Sequence, residues 1–163
     1  KIIGKIIAEN NFNIVFGGGE NGIMGAVAQS GIENGAKTTG IIPNFLLKKD
    51  ILDSAHSKIF NSKLIKTETM HQRKKMMYDS SHGFLVLPGG IGTLDECFEV
   101  LTWCQLNQIK NKNVGIINFK GYWDPLINLI EHIIKEEYMS PNNLNYYEEI
   151  KNINSLKIFL KNI

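Results

Sequence analysis

Short apolar runs alternate along the whole chain with longer segments that carry apolar residues at a helical spacing. This alternation predicts an α/β fold, because a helix between two strands covers one face of a parallel sheet. Most of the runs are continuously apolar, which is typical of parallel strands buried on both faces. No repeat, low-complexity tract or linker divides the chain, so we predict one domain over residues 1–163.

The predicted architecture is a doubly wound parallel sheet flanked by helices. We predict strands at 13–16, 38–42, 63–65, 84–87, 114–118 and 146–150, and helices at 2–10, 24–34, 70–80, 94–107, 125–138 and 155–162. The first predicted element is a helix, whereas a doubly wound sheet opens with a strand. We therefore expect the first strand of the fold to be absent from this sequence and to precede Lys1.

Composition and charge exclude several classes of function. Of the 163 residues, 43% are hydrophobic and 21% charged, and the net charge of +2 gives no basic excess for nucleic-acid binding. No apolar run approaches the roughly 20 residues that cross a bilayer. We therefore expect a cytoplasmic protein with no membrane partner. The histidines follow no metal-binding spacing, and Cys97 and Cys104 lie too far apart on one helix for a disulfide, which indicates buried thiols and no metal.

The first glycine loop (Gly17–Gly25) follows a predicted strand and leads into a helix with the spacing G-x-G-x-x-G. Such a loop binds dinucleotides when an acidic residue near the end of the next strand holds the ribose. Here that strand ends at Ile42, Pro43 and Asn44, so the sequence disfavours NAD. The alternative is a tight turn in which strand and helix pack closely.

The second glycine loop (Pro88–Thr93) also joins a strand to a helix. Its glycines allow backbone N–H groups to approach a phosphate, the helix N-terminus adds partial positive charge, and Thr93 adds a hydroxyl. No Gly-Lys-Ser/Thr follows, which argues against a nucleoside triphosphatase. A monophosphate is the ligand that this loop fits best.

Glu96 has two interpretations. Thr93 and Glu96 have the spacing of a capping box, in which the glutamate bonds back to the Thr93 N–H. Alternatively, a carboxylate beside a phosphate loop faces the sugar of a nucleotide, where it can assist water or stabilise positive charge. The residues leave both open.

Arg73, Lys74 and Lys75 begin the helix predicted at 70–80. They form either a solvated basic turn or a phosphate-binding group, since cations at a helix N-terminus need compensating negative charge. A helix that returns to a parallel sheet starts at the carboxyl edge of the strands, where both glycine loops also lie. We therefore expect all three features at one crevice.

Other conspicuous residues have simpler interpretations. Methionines 70, 76 and 77 are typical of core filling, although a substrate pocket is the alternative. The turn at 121–125 places Asp124 as a predicted helix N-cap and Pro125 as the first helical residue. We assign this turn, with its Tyr122 and Trp123, no chemistry.

Two motifs together resemble a known family. Residues 70–74 (MHQRK) and 87–96 (LPGGIGTLDE) are similar to the M-H-x-R-K helix and PGGxGTxxE loop of the Lonely Guy (LOG) phosphoribohydrolases, which are often labelled lysine decarboxylases. The similarity continues through the first glycine loop and residues 102–106, 114–118 and 121–124. After residue 106 the family carries a Gly and a His-x-Lys-Pro stretch, where this chain has the different and longer segment 107–113.

The resemblance implies a Rossmann-like homodimer that hydrolyses the N-glycosidic bond of adenosine-type nucleoside 5′-monophosphates, AMP or N6-substituted cytokinin nucleotides. The products are the free base and ribose 5-phosphate, and no cofactor is implied. The catalytic residues implied are Arg73 and Glu96. The predicted substrate- and phosphate-binding residues are Gly18, Gly19, Met70, Lys74, Pro88, Gly89, Gly90, Gly92 and Thr93. A nucleotide or cofactor carrier without catalysis is the alternative.

Overall fold

The computed structural model describes residues 1–46, 63–108 and 113–163. The helices are α1 (Ile2–Glu9), α2 (Gly22–Glu33), α3 (Met70–Asp79), α4 (Ile91–Gln105), α5 (Asp124–Lys135) and α6 (Ile153–Lys161). The strands are β1 (Ile14–Phe16), β2 (Thr38–Pro43), β3 (Lys63–Thr67), β4 (Gly83–Val86), β5 (Asn113–Ile117) and β6 (Glu148–Ile150). Two 3₁₀ helices cover Phe119–Gly121 and Pro141–Tyr146. The described chain forms two compact units, residues 1–81 and 82–163.

The first unit contains a parallel sheet in the order β1-β2-β3. Ile14 pairs with Thr38 in β2, and Gly40 of β2 pairs with Leu64 in β3. Helix α1 packs so closely on α2 that a Cβ atom at Gly4 would overlap the backbone carbonyl of Val27. The apolar core of this unit is built from Ile6, Ile7, Ile14, Phe16, Val27, Ala28, Ile41, Ile42 and Tyr78.

The second unit contains a parallel sheet in the order β4-β5-β6. Gly83 pairs with Asn113, and Gly115 pairs with Glu148. Its core contains residues from β5, β6 and α6 that are almost fully buried: Val114, Ile116, Ile117, Ile150, Leu156 and Phe159. The central strand β5 therefore has apolar residues on both faces, as expected for a covered parallel sheet.

The predicted α/β fold with parallel strands flanked by helices is confirmed, and each predicted element has a counterpart. The largest shifts are of three residues, at the start of α4, which begins at Ile91 rather than at 94, and at the end of α5, which ends at Lys135 rather than at 138. Cys97 and Cys104 are free and buried, as expected. That residues 1–163 form one domain stays a prediction, and residues 109–112 of the divergent segment lie outside the described residues.

Two special features are absent from the described part of the chain. No helix there is long and apolar enough to cross a membrane. Likewise, no three His, Cys, Asp or Glu side chains in residues 1–46, 63–108 and 113–163 are grouped so that they could hold a metal ion.

Candidate functional site

The first glycine loop lies between β1 and α2, and most of its glycines are enclosed by the chain itself, whereas Gly22 faces open space with a left-handed φ of +69°. Gly18 has φ +80°, a left-handed conformation that favours glycine, and a Cβ there would lie 3.2 Å from the Cβ of Ile42. At Gly25 a Cβ would overlap the backbone carbonyl group of Glu20. The loop therefore folds back onto the first turns of α2 with no room for side chains at these two positions.

Arg73 lies in the first turn of α3 and is buried, with 9% of its surface exposed. Thr69 caps this helix, since its hydroxyl accepts a hydrogen bond from the Gln72 N–H at 3.1 Å. The Arg73 Nε donates to the Ile41 carbonyl at 3.1 Å. Its guanidinium lies against Gly17, where a Cβ would overlap Nη2. The solvated-turn interpretation is therefore wrong for Arg73, which the structure places against the first glycine loop.

The neighbouring basic residues behave differently. Lys75 is exposed and pairs with Asp79 at 2.8 Å, one turn along the helix, so the solvated interpretation is correct for it. Lys74 and Met70 are half-buried. Their assignment to substrate binding stays a prediction, as does that of Gly19.

Glu20, in the first glycine loop, is a polar group that the sequence analysis did not single out. It is half-buried, and its Oε1 atom is buried without a hydrogen-bond partner. Leaving a buried acceptor without a donor is unfavourable. Such an oxygen can accept a hydrogen bond from a ligand hydroxyl or amino group that reaches it. A loop carboxylate has no local sequence pattern that marks it as buried, so the sequence offered no signal.

The second glycine loop lies between β4 and α4 and has one closely packed glycine and two open ones. A Cβ at Gly89 would overlap the Thr93 side chain, so these two residues are in close contact. A Cβ at Gly90 or Gly92 would meet no heavy atom of the described chain within 4 Å, apart from the neighbouring helical backbone. Gly90 precedes the first residue of α4 and has no side chain to cap it. An open, uncapped helix N-terminus of this kind can bind an anion.

The predicted capping box of Thr93 and Glu96 is wrong. Helix α4 begins at Ile91, so Thr93 lies inside its first turn, and the Thr93 N–H donates to the Gly90 carbonyl at 3.0 Å. The box requires Thr93 to precede the helix with its N–H available to Glu96. Glu96 is half-buried and lies one helical turn beyond Gly92. The catalytic assignment of Glu96 stays a prediction. The capping box with Thr93 no longer competes with it.

The turn after β5 contacts the second glycine loop. The Tyr122 hydroxyl donates a hydrogen bond to the Gly89 carbonyl at 2.8 Å. The sequence pattern predicts no role for this turn, because the contact joins residues 33 positions apart and leaves no local pattern. The predicted N-cap Asp124 is also wrong, since α5 begins at Asp124 itself, after Trp123.

The thiols of Cys97 and Cys104 lie on the core face of α4, after the second glycine loop in the chain. Burial raises the pKa of Cys97 to about 11 and also raises the pKa of Cys104. Both thiols therefore stay protonated at neutral pH. A thiol is nucleophilic only as the thiolate, so neither side chain offers a catalytic nucleophile.

The parallel strands, flanking helices and two glycine loops define an α/β protein of the Rossmann-like class. The family model described as "Possible lysine decarboxylase" matches residues 24–157, and the chain therefore belongs to that family.

Curated relatives agree with this assignment. A probable cytokinin riboside 5′-monophosphate phosphoribohydrolase of Oryza sativa subsp. japonica is 38% identical over 140 residues, 86% of this chain and 54% of that protein. A cytokinin riboside 5′-monophosphate phosphoribohydrolase of Arabidopsis thaliana is 37% identical over 139 residues, 85% of this chain and 62% of that protein. The chain thus spans between half and two thirds of the length of these relatives.

Two solved structures share the fold. A molybdenum cofactor binding protein from Rippkaea orientalis has a TM-score of 0.63 and 18% identity, with 98% of this chain and 82% of that chain covered. The molybdenum cofactor carrier protein of Chlamydomonas reinhardtii has a TM-score of 0.65 and 16% identity, with 98% and 81% covered. At this level of identity, the likeness establishes the Rossmann-like fold alone.

Proposed function

We propose that this chain hydrolyses the N-glycosidic bond of adenosine-type nucleoside 5′-monophosphates, AMP or N6-substituted cytokinin nucleotides, to the free base and ribose 5-phosphate. The observation that carries the proposal is the open second glycine loop, where Gly90 and Gly92 face empty space at an uncapped helix N-terminus. The names of the relatives in rice and Arabidopsis supply the substrate class, a riboside 5′-monophosphate.

The second glycine loop binds the 5′-phosphate in this proposal. Backbone N–H groups at the start of α4 donate to the phosphate oxygens, and the Thr93 hydroxyl adds a further bond. Glycine at 90 and 92 keeps the approach clear, because any larger residue would place a Cβ in the space that the phosphate occupies. The remaining predicted contacts, Pro88 and Gly89, shape the loop.

Glu96 acts on the sugar. When the C1′–N bond breaks, the ribose develops positive charge, which a nearby carboxylate stabilises while water adds to C1′. The half-buried position of Glu96, one turn beyond Gly92, supports this role, since partial exclusion of water strengthens electrostatic stabilisation. Arg73 is the second catalytic residue of the proposal, and its permanent guanidinium charge suits an anionic substrate.

The test incubates the purified protein, including any natural residues that precede Lys1, with AMP and with N6-isopentenyl AMP. It measures the release of the free base. Chromatography separates the base from ribose 5-phosphate. We expect Glu96→Gln to lower kcat about 100-fold or more while the fold is retained. Asp95→Asn, on the exposed neighbouring carboxylate, is the matched control and should keep wild-type activity. Full activity of Glu96→Gln would refute the catalytic assignment.

Two alternative functions predict different results. A nucleotide or cofactor carrier would bind a monophosphate saturably and release no base. A decarboxylase, as the family description suggests, would require pyridoxal phosphate and show its absorption band, and it would release carbon dioxide from lysine.

The proposal includes a homodimer. Ile91 and Phe98 on α4 and Leu106 just after it are exposed apolar side chains, which supports an interface between copies along this helix. Sedimentation velocity at micromolar concentration measures the mass directly. A mass of one chain across the concentration range would contradict the dimer.

A further inference from the structure

The turn between β5 and α5 is tightly constrained. Lys120 and Gly121 both have a left-handed backbone, with φ +62° and φ +72°. A Cβ at Gly121 would lie 2.5 Å from Oδ2 of Asp124, so the turn closes directly onto the start of α5. The left-handed backbone favours glycine at this position, because a side chain there would be strained.

A buried asparagine holds the turn in place. The Oδ1 of Asn118 accepts a hydrogen bond from the Trp123 N–H at 2.7 Å. Its Nδ2 donates to Oδ1 of Asp124 at 2.7 Å and to Oε1 of Glu149 at 2.6 Å. One side chain thus ties the end of β5 to the turn, to the first residue of α5 and to β6. Hydrogen bonds to charged groups are the stronger ones, so this network rigidifies the turn.

Tyr122 projects from this rigid turn towards the second glycine loop. Its ring meets the ring of Trp123 edge-on, with centroids 4.8 Å apart and planes at 85°. Trp123 is only 5% exposed and so anchors the pair, whereas Tyr122 is 52% exposed. A half-exposed tyrosine contributes little to the core, yet its hydroxyl donates a hydrogen bond to the Gly89 carbonyl at 2.8 Å.

Because the peptide bond is planar, this contact fixes the orientation of the peptide between Gly89 and Gly90. The Gly89 carbonyl and the Gly90 N–H belong to one rigid trans peptide unit and point in opposite directions. Holding the carbonyl therefore fixes the direction of the Gly90 N–H. Accepting a hydrogen bond at the carbonyl also polarises the unit and strengthens its N–H as a donor.

We propose that Tyr122 is a positioning residue, whose hydroxyl holds the Gly89–Gly90 peptide so that the loop's N–H groups meet the substrate phosphate in a fixed geometry. This inference rests on the proposed function, because it takes the second glycine loop as the phosphate site. It predicts an effect on phosphate affinity that exceeds any effect on folding.

The test compares Tyr122→Phe, which removes only the hydroxyl, with Tyr138→Phe, the same change at a tyrosine that is 89% exposed. For Tyr122→Phe we expect KM for AMP and the Kd for ribose 5-phosphate to rise about threefold to tenfold, with kcat within twofold. Tyr138→Phe should match the wild type in all three measurements.

The outcomes separate this inference from the proposed function. Weaker ribose 5-phosphate binding by Tyr122→Phe supports the inference even if the wild type releases no base, a result that would overturn only the hydrolase. An unchanged KM for AMP and an unchanged Kd for ribose 5-phosphate in Tyr122→Phe overturn the inference alone. A wild-type protein that binds neither AMP nor ribose 5-phosphate overturns both.

Discussion

The two glycine loops have similar sequences but different physical reasons for their glycines. In the first glycine loop, Gly17 contacts the Arg73 guanidinium, and Gly25 contacts the backbone of Glu20. The chain itself excludes a side chain at both positions. In the second glycine loop, Gly90 and Gly92 face open space in the described chain. Nothing within the fold requires glycine there.

This difference indicates which loop is shaped by packing and which by a ligand. A glycine that the fold requires is needed whether or not the protein binds anything. A glycine with empty space around it lowers helix stability without benefit to packing. Its presence therefore indicates that a ligand approaches the backbone there. Gly22 of the first glycine loop also faces open space, but its left-handed φ of +69° accounts for glycine there. By this criterion the second glycine loop is the better phosphate site.

The largest effect is expected for Gly25→Ala. The new methyl group would overlap the Glu20 carbonyl, and a backbone clash cannot be relieved by a side-chain rotation. We expect the free energy of unfolding to fall by about 3 kcal/mol, measured by urea denaturation. A loss below about 1 kcal/mol would show that the first glycine loop is not fixed by packing.

Alkaline pH should destabilise the second unit selectively. Both cysteines lie in residues 82–163. Burial raises the pKa of Cys97 from 9.0 to about 11, so the folded state retains a proton that the unfolded state loses. The contribution is complete below pH 9 and is lost between pH 9 and 11, by about 2–3 kcal/mol.

Hydrogen exchange at α4 and α2 measures this effect in each unit. Amides of α4 should lose protection more steeply than those of α2 as the pH rises from 9 to 11, after correction for intrinsic exchange. Cys97→Ala, which cannot ionise, should remove most of the difference. An equal loss in both helices would contradict the assignment to Cys97.

The smallest effect on folding is expected for Gly92→Ala, the counterpart of Gly25→Ala in the open loop. Position 92 lies in the first turn of α4 without a clash, so unfolding free energy should change by less than about 1 kcal/mol. Ribose 5-phosphate binding should weaken about tenfold, because the methyl group blocks N–H bonds to a charged phosphate. Calorimetric titration measures the affinity, and unchanged binding would remove the ligand-based explanation for this glycine.

Local patterns predicted the order and type of the elements well, and failed where glycine was involved. The predicted helix starts at 94, whereas α4 begins at Ile91. Gly90 and Gly92 have low helix propensity, so the local pattern does not mark the first turn of the helix. The capping box depended on that boundary and failed with it. Lys75 follows the ordinary expectation for an exposed charge, since it pairs with Asp79 one turn away.

The sequence by itself determined which segments are strands and helices, because apolar spacing records burial locally. It also marked both glycine loops and the two motifs that contain Arg73 and Glu96. Only the tertiary structure decided that Arg73 is buried, since the carbonyl it binds lies 32 residues away in β2. The same holds for Tyr122 and Gly89, which are 33 residues apart. Contacts of this kind depend on how the elements pack, which spacing along the chain does not encode.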